Sequence, residues 1–493
     1  MKRAPEGALL PMDQRALIAV DLGAESCRVS LLQWITGAPV VTLVHRFANA
    51  PRESDGLRWD LGMIEAGLDE GLRRCASIAT EGVRSIAVDG WAVDYVRIGV
   101  DGRALADPFC YRDERTVEAE RSLHRKISPE QLRELTGIQL LRINTLYQLF
   151  ADSLAGLPEG EQWLNLPEYI LSRWGGARVS EYTNATHTQL TEIYRQHWSR
   201  EIFQAAQLDL ASAPKIVPPG TVVGRLQGPL AELSALRDAA LIAPACHDTA
   251  SAIAGIPATG NDWAYISSGT WSLVGTLVEQ PHNGEAARAD NFTNLGAVGD
   301  QICFHKNVNG MWLIRQCVEQ WAAEGTEWTV QDLVAAAEKL PKPDALLDVD
   351  EPDLLLQGHM PRRINAQRAK HGLAPLDEGA ANAPAFASLI FHSLAARYAR
   401  VLDRVALHSG KRLKRLFVVG GASRNEFLNR LTQEATGLEV FRGSPESSTV
   451  GNFAVQLAVL DGNRDVNSGV YGEHVSRWAG LLVAALGRAS TAR

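Results

Sequence analysis

The sequence lacks two features that would each define a class of protein. It has no Gly-x-x-x-x-Gly-Lys-Ser/Thr segment, so a P-loop is excluded as its route to nucleotide binding. It has no run of about 18 apolar residues, the length that a membrane-spanning helix needs. The stretch from Met1 to Arg15 has no apolar run as long as a signal peptide requires. We therefore expect a cytoplasmic protein that has no membrane partner.

Paired cysteines and an excess of positive charge are also lacking. The six cysteines are widely spread, and no two lie as close as a Cys-x-x-Cys metal site requires. Free thiols in a reducing compartment fit this spacing best. The formal charge of -8 argues against a nucleic-acid partner, because binding to a phosphate backbone depends on clustered lysine and arginine.

The composition is typical of a globular protein with a sizeable core, since 46% of the 493 residues are hydrophobic and 22% are charged. This length corresponds to about two or three domains. Gly255, Pro257 and Gly260 interrupt the pattern of regular elements near the middle of the chain. We therefore predict an N-terminal domain over 1–256 and a C-terminal domain over 257–493.

One hairpin pattern occurs twice, about half a chain apart. In 17–32 an apolar run leads to the small and polar residues Asp21–Ser26, and apolar residues then resume. In 263–274 a second apolar run leads to Ser267–Thr270 and is followed by another. Each copy predicts a strand, a tight turn and a strand. The repetition indicates two related lobes.

Helical and strand signals alternate after each hairpin, which favours an α/β architecture. Two segments of weaker periodicity, 276–300 and 340–385, are predicted to be loops or insertions. The predicted helices are 64–75, 390–410 (ending at Gly410), 425–437 and 448–460, and the predicted strands that accompany them are 85–88, 416–419 and 438–441.

The two turns, 23–28 and 267–270, are candidate phosphate sites. Turns rich in Gly, Ala and Ser can point consecutive backbone N–H groups at an anion. The alternative is that both are ordinary β-turns. Asp21, at the end of the first strand, could hold Mg²⁺ directly or through water, or it could cap the turn.

His247 and Asp248 lie where a loop is predicted to meet a helix. An aspartate there could accept the proton of a substrate hydroxyl that attacks a phosphate, or it could be the N-cap of the helix. His247 could orient the substrate or pack the loop.

Three further segments have the composition of a binding site. The turn Gly420–Asn425 lies between a strand and a helix, where backbone could approach a nucleotide closely. The segment Asp89–Asp94 combines two carboxylates with Trp91, which suits a polyol, although Trp91 alone would be interpreted as a core residue. Asn307 is a candidate polar ligand with the same ambiguity.

Taken together and in order, these motifs resemble the FGGY family of carbohydrate kinases over nearly the whole chain. The resembling stretches are 19–28, 85–96, 111–116, 144–149, 181–186, 247–252, 267–273, 420–425 and 443–452. The resemblance implies two RNase-H-like (actin-like ATPase) lobes around a central cleft. It also implies Mg²⁺-dependent transfer of the terminal phosphate of ATP to the 1-hydroxyl of L-rhamnulose.

The resemblance also assigns roles by position, with Asp248 as the proton acceptor. The positions that correspond to the sugar site are Ala92, His247, Asp248, Thr249 and Asn307. The positions that correspond to the ATP site are Ala24, Glu25, Ser26, Cys27, Arg28, Thr270, Arg315 and Gly421. In this reading the first lobe carries the sugar site and the first phosphate turn, and the second lobe binds ATP.

The chain departs from the family pattern at three of these positions. Cys27 stands where glycine is usual, Arg315 where glutamine is typical, and Ala92 where related kinases commonly have glycine. A single methyl group in a close-fitting pocket changes discrimination between substrates by about 1–3 kcal/mol. Ala92 therefore bears on which sugar is accepted.

Two alternatives to the L-rhamnulose interpretation stay open. One is a kinase for another ketose, such as L-fuculose or xylulose. The other is an actin-like or chaperone-like ATPase that acts on a protein partner, but this class does not predict the His247–Asp248 pair or the Asp89–Asp94 segment. In the kinase interpretation the partners are a small sugar and ATP, and the chain is a monomer or a homodimer.

Overall fold

The structure, a computed structural model, describes residues 13–158, 160–462, 466 and 468–491. Residues 1–12, which include most of the stretch without a signal-peptide pattern, lie outside the described residues. The strands are β1 (Ala16–Leu22), β2 (Ser26–Ile35), β3 (Ala38–Ala48), β4 (Arg52–Glu53), β5 (Leu57–Arg58), β6 (Val83–Gly90), β7 (Tyr95–Ile98), β8 (Gln162–Asn165), β9 (Val179–Glu181), β10 (Lys215–Val217), β11 (Thr221–Arg225), β12 (Ala240–Ala243), β13 (Trp263–Ser268), β14 (Trp271–Val278), β15 (Thr293–Gly296), β16 (Ile302–Asn309), β17 (Arg415–Val419) and β18 (Glu439–Arg442).

The helices lie between these strands or after them along the chain. They are α1 (Leu61–Ile78), α2 (Thr116–Leu123), α3 (Pro129–Thr136), α4 (Thr145–Leu154), α5 (Leu166–Arg173), α6 (Tyr182–His187), α7 (Arg200–Ala206), α8 (Asp248–Ala254), α9 (Glu285–Ala289), α10 (Trp312–Ala323), α11 (Val330–Ala337), α12 (Met360–Lys370), α13 (Ala383–Ser409), α14 (Glu426–Thr436), α15 (Ser447–Leu460) and α16 (Gly469–Thr491). Across the described ranges, none of these helices is long and apolar enough to span a membrane.

The chain packs as two compact units. The first comprises the residues up to Thr259, the segment Val278–Cys303 and the segment that begins at Ser447, and the second comprises Gly260–Leu277 and Phe304–Glu446. Helices α15 and α16 belong to the first unit because the apolar side chains of α15 pack in one cluster with those of β1. The division into a sugar-binding half over 1–256 and an ATP-binding half over 257–493 stays a prediction.

The sheet of the first unit has the strand order β11-β12-β6-β1-β2-β3. The predicted hairpin 17–32 is confirmed, since β1 pairs antiparallel with β2 and Leu17 lies opposite Leu32. Strand β1 also pairs in parallel with β6, which pairs in parallel with β12. Every residue of β1 is buried, because Ile18 packs in a cluster on one side of the sheet and Leu17 in a cluster on the other.

The second unit repeats this arrangement. Its strands follow the order β16-β14-β13-β17-β18, and the predicted hairpin 263–274 is confirmed by the antiparallel pair β13 and β14. The first strand of this hairpin again pairs in parallel with a later strand, β17. The predicted helix end at Gly410 is also confirmed, since this residue caps α13 with a left-handed φ of 68°.

The prediction of loops in 276–300 and 340–385 is partly wrong. The first segment contains α9 and β15, and the second contains α12. Helix α12 is mostly polar, and its apolar anchors Met360 and Ile364 are both buried. Because few apolar residues hold this helix, its sequence shows little of the helical periodicity that predicts one.

Candidate active site

The carboxyl ends of three neighbouring parallel strands bring together three aspartates in the first unit. Asp21 on β1 and Asp89 on β6 are direct partners in the strand register. Asp248 begins α8, which follows β12, and the loop before it is joined to the end of β6 by the hydrogen bond from Gly90 N to the Cys246 carbonyl (2.9 Å). Ligand sites of open α/β sheets form at such strand ends.

Asp248 is the first residue of α8, and the N-cap of this helix is His247. Thr249 Oγ1 donates a hydrogen bond to Asp248 Oδ1 at 3.1 Å, and His247 Nε2 lies 3.4 Å from the same oxygen. The Asp248 side chain is 38% exposed. Desolvation and the neighbouring Asp21 carboxylate raise the pKa of Asp248 to about 7. This carboxyl is therefore both accessible and suited to accept a proton near neutral pH.

Asp21 is buried, and two donors hold its carboxylate. Arg28 Nη2 donates to Asp21 Oδ2 at 2.9 Å, and Ser448 Oγ donates to the same oxygen at 2.6 Å. Ser448 lies in the first turn of α15, so this helix helps to orient the carboxylate. Nothing in the sequence pattern identified Ser448 as a neighbour of Asp21.

Asp89 is the fully buried member of the group, and it begins the segment Asp89–Asp94 that the sequence indicated as suited to a polyol without giving Asp89 a role of its own. Its Oδ2 accepts a hydrogen bond from Asn452 Nδ2 at 2.6 Å. Its Oδ1 lacks a hydrogen-bond partner in the part of the chain that the structure describes. Burial and the nearby charge of Asp21 raise the pKa of Asp89 well above its usual range. Its position at the end of an apolar strand, like that of Asp21, is the signal that could have placed it beside Asp21.

Ala92 lies in the loop after β6 and is 7% exposed. The next residue, Val93, has a left-handed φ of 72°, which is strained for a β-branched side chain. Thr145 Oγ1 donates to the Val93 carbonyl at 2.8 Å, and Trp91 Nε1 donates to the Asp94 carboxylate at 3.0 Å. Trp91 packs in the hydrophobic core, which agrees with its alternative interpretation as a core residue.

The first predicted phosphate turn is shorter than the sequence indicated. Ser26, Cys27 and Arg28 already belong to β2, so the turn itself is formed by residues 23–25. A side chain on Gly23 would place Cβ 2.5 Å from the Ser26 carbonyl oxygen, so the turn requires glycine there. Cys27 is fully buried, and burial raises the pKa of its thiol to about 12. Its side chain is a neutral part of the core.

A hydrogen bond and a close backbone contact bring together three of the predicted ATP-site elements within the second unit. Trp312 N donates to the Thr270 carbonyl at 3.2 Å, which ties the start of α10 to the hairpin turn. Gly420 has a φ of 82°, and a Cβ there would lie 2.7 Å from the Ser268 carbonyl oxygen. The turn that contains Gly421 therefore packs directly against the end of β13.

The remaining predicted residues of the second unit lie on neighbouring elements. Arg315, one turn into α10, donates through Nε to Glu319 Oε1 at 2.8 Å, and its side chain is 43% exposed. Gly421 is exposed, with open space where a Cβ would stand. Asn307 lies half-buried on β16.

Solved structures of carbohydrate kinases share this fold. Gluconate kinase from Lactobacillus acidophilus matches with a TM-score of 0.74 and 16% identity, over 97% of this chain and 98% of that one. Glycerol kinase from Plasmodium falciparum, solved with ADP, matches with a TM-score of 0.69 and 11% identity, over 97% and 98%. At these identities the likeness establishes the fold. It is the two-lobed fold of the actin-like ATPases, as the sequence predicted.

Relatives found by sequence are more similar to this chain than these solved structures are. The rhamnulokinase of Enterococcus faecalis is 34% identical over 462 residues, 92% of this chain and 91% of the relative. The rhamnulokinase of Bacteroides thetaiotaomicron is 33% identical over 454 residues, 91% of each.

The family models match both halves of the chain. The N-terminal domain of the FGGY family of carbohydrate kinases matches residues 16–255, and the C-terminal domain matches residues 264–459. The protein is thus an ATP-dependent carbohydrate kinase. It belongs to the FGGY family, and the predicted family is confirmed.

Proposed function

We propose that the protein phosphorylates the 1-hydroxyl of L-rhamnulose, or of a close ketose, with Asp248 as the general base. The observation that carries this proposal is the accessible Asp248 carboxyl, with its raised pKa, at the strand ends of a carbohydrate kinase. Similarity to proteins named rhamnulokinase supports the choice of sugar. Family membership favours a sugar over the protein partner of a chaperone-like ATPase.

In the proposed reaction Asp248 accepts the proton of the sugar hydroxyl. The hydroxyl oxygen forms a bond to the terminal phosphorus of ATP as the bond from that phosphorus to the bridging oxygen of ADP breaks. His247 and Thr249 flank the carboxyl and would orient it and the sugar. Ala92 and Asn307 complete the proposed sugar contacts. Most of the rate enhancement would come from positioning and charge stabilisation.

We assign Mg²⁺ to Asp21 as part of the same proposal. Among the described residues no group of three or more His, Cys, Asp or Glu side chains is arranged to hold a metal. Mg²⁺ nevertheless binds through one or two carboxylates while its other ligands are waters and substrate phosphates. The unpaired Oδ1 of Asp89 beside Asp21 is an additional acceptor for such a water. The cation would neutralise charge on the phosphates.

The proposed ATP contacts use backbone more than side chains. They comprise residues 24–28 at the first turn and Thr270, Arg315 and Gly421 in the second unit. Because Ser26–Arg28 belong to β2, which pairs with both β1 and β3, the backbone N–H groups that this segment would offer to an anion are those of the turn 23–25. Location in the cytoplasm and a monomeric or homodimeric state stay predictions.

A coupled ADP-release assay against a panel of ketoses and aldoses tests the proposed substrate. We expect L-rhamnulose or a close ketose to raise turnover far above the basal ATPase rate, and the product to carry phosphate on O1. If the enzyme prefers L-fuculose or xylulose, that sugar replaces L-rhamnulose as the proposed substrate and the proposed mechanism is unchanged. If no sugar raises turnover, the proposed function is wrong.

Ala92→Gly is expected to change the order of sugar preference. Removing one methyl beside the sugar should alter the ratio of kcat/KM between two ketoses by about 10- to 200-fold. The Michaelis constant for ATP should change by less than about twofold. Steady-state kinetics with each ketose at saturating ATP measure the first quantity. A change confined to the Michaelis constant for ATP would show that Ala92 does not contact the sugar.

The pH dependence of the reaction should reflect Asp248. The pKa of Asp248 is about 7 beside the charged Asp21 carboxylate, and Mg²⁺ on Asp21 would lower it. Below its pKa the carboxyl is protonated and cannot accept the hydroxyl proton, so kcat/KM for the sugar should rise with pH and then level off. The profile is measured at saturating ATP and Mg²⁺ from about pH 4.5 to about pH 8.5. A flat profile over that range would contradict proton transfer to this group.

A further inference from the structure

The backbone of the loop that carries Asp248 is held from the side by a buried acid and a hydroxyl. Glu181 Oε2 accepts a hydrogen bond from Cys246 N at 2.7 Å. Thr183 Oγ1 accepts one from His247 N at 3.1 Å and donates its own proton to Glu181 Oε2 at 2.5 Å. The two amides immediately before Asp248 are therefore bound by one acid–hydroxyl pair.

These two amides need such partners because of where they lie. Cys246 and His247 stand between the end of β12 and the start of α8, where neither the ladder of the sheet nor the helix supplies acceptors. Both residues are buried. A buried N–H group without a partner costs about 1–3 kcal/mol. The acid–hydroxyl pair supplies an acceptor to both groups and so restrains the backbone of the loop.

The pair is itself held rigidly. Glu168 on α5 accepts hydrogen bonds from Glu181 N at 3.0 Å and from Asn184 Nδ2 at 3.0 Å. The side chains of all three residues are buried. The position of Glu181 is thus set by its neighbours before it binds the loop.

A second contact joins α6, the helix that contains Thr183, to the loop before Asp248. The ring of His187, near the end of α6, lies 4.8 Å from the ring of His247 in an edge-on arrangement at 75°. On its other side the loop is joined to β6 by the hydrogen bond from Gly90 N to the Cys246 carbonyl. The loop is therefore fixed between the strand end and α6, and α8 presents Asp248 from that fixed point.

We propose that Glu181 and Thr183 are positioning residues for the catalytic base, and that the segment 181–187 serves to aim Asp248 at the sugar hydroxyl. The inference rests on the proposed function, because it takes Asp248 as the base. A displacement of about 1 Å at a reacting group costs up to about 100-fold in rate. Loss of the pair should therefore lower kcat more than it changes ATP binding.

Thr183→Val removes the hydroxyl and keeps the shape of the side chain. We expect kcat for sugar phosphorylation to fall by about 10- to 100-fold, ATP affinity measured by calorimetry to change by less than about twofold, and Thr183→Ser to restore most of kcat. Thr136→Val is the matched control. Like the hydroxyl of Thr183, the hydroxyl of Thr136 is buried and accepts from an amide, that of Ile138, but it donates to the Leu132 carbonyl within α3. This control should keep kcat.

A double substitution separates this inference from the proposed function. If Asp248→Asn alone lowers kcat by about 10²- to 10⁴-fold and Thr183→Val causes little further loss from that residual rate, both residues act through one step. The positioning role would be overturned if Thr183→Val lowered kcat by the same factor in the wild-type and Asp248→Asn backgrounds. It would also be overturned if Thr183→Val and Thr136→Val lowered kcat equally. An active Asp248→Asn variant would instead overturn the proposed function.

Glu181→Met provides a second route should Thr183→Val fail to fold. Methionine keeps the approximate length of the side chain but has neither carboxylate oxygen, so the contacts to Cys246 N and to Thr183 Oγ1 are both lost. We expect a lowered kcat with a nearly unchanged ATP affinity. A wild-type kcat in this variant would overturn the inference.

Discussion

The Asp248→Asn variant should lose sugar phosphorylation by about 10²- to 10⁴-fold in kcat while it still binds ATP. Asparagine has the same shape as aspartate, but its amide cannot take the proton of the attacking hydroxyl. The contact from Thr249 Oγ1 to Oδ1 can be kept by the amide oxygen. The fold around α8 should therefore survive, and only proton transfer should be lost.

The measurements are single-turnover phosphoryl transfer and direct ATP binding by calorimetry. Asp209→Asn is a suitable control, because Asp209 caps a short turn by accepting from Ala211 N at 2.9 Å and asparagine caps nearly as well. The control should keep wild-type kcat. Near-normal turnover in Asp248→Asn would mean that another group takes the proton.

Gly451→Ala should damage both stability and turnover, because α8 and α15 pack backbone against backbone. A Cβ on Gly451 would lie 1.8 Å from the Ser251 carbonyl oxygen. The contact is reciprocal, since a Cβ on Gly255 would lie 2.4 Å from the Ser447 carbonyl oxygen. An alanine at 451 can be accommodated only if α8 moves, and Asp248 moves with it.

We expect Gly451→Ala to lower the free energy of unfolding by about 1–3 kcal/mol and kcat by more than about 10-fold. Denaturant unfolding and steady-state kinetics measure the two effects. Gly62→Ala on α1 is the control, because its Cβ would meet nothing closer than Asp60 Oδ1 at 3.7 Å. This control should keep activity and gain slightly in stability. Wild-type activity in Gly451→Ala would show that α8 can shift without misplacing the base.

Much of the fold could be predicted from local features of the sequence. The hairpins over 17–32 and 263–274 were predicted because apolar runs on both sides of a small-residue turn specify strand pairing between near neighbours. The end of α13 was predicted because Gly410 adopts the left-handed conformation that favours glycine. Helix α12 was missed, since it is mostly polar and few apolar anchors mark its buried face.

The neighbours of the three aspartates at the strand ends escaped prediction for a different reason. Ser448 lies 427 positions from Asp21, to which it donates a hydrogen bond, and Asn452 lies 363 positions from Asp89. No periodic pattern links residues so far apart. Glu181 belongs to a stretch that supported the family resemblance, yet its bond to Cys246 N could not be inferred from that stretch.

The sequence by itself determined the two hairpins, several of the helices and strands that follow them, the family and the identity of Asp248 as the candidate base. These depend on local periodicity, turn chemistry and the order of motifs. Only the tertiary structure decided that α15 joins the first unit, that Asp89 lies beside Asp21 and that Glu181 and Thr183 hold the loop of Asp248. Those contacts arise because the sheet and its covering helices bury apolar surface together, which brings distant polar groups to the same strand ends.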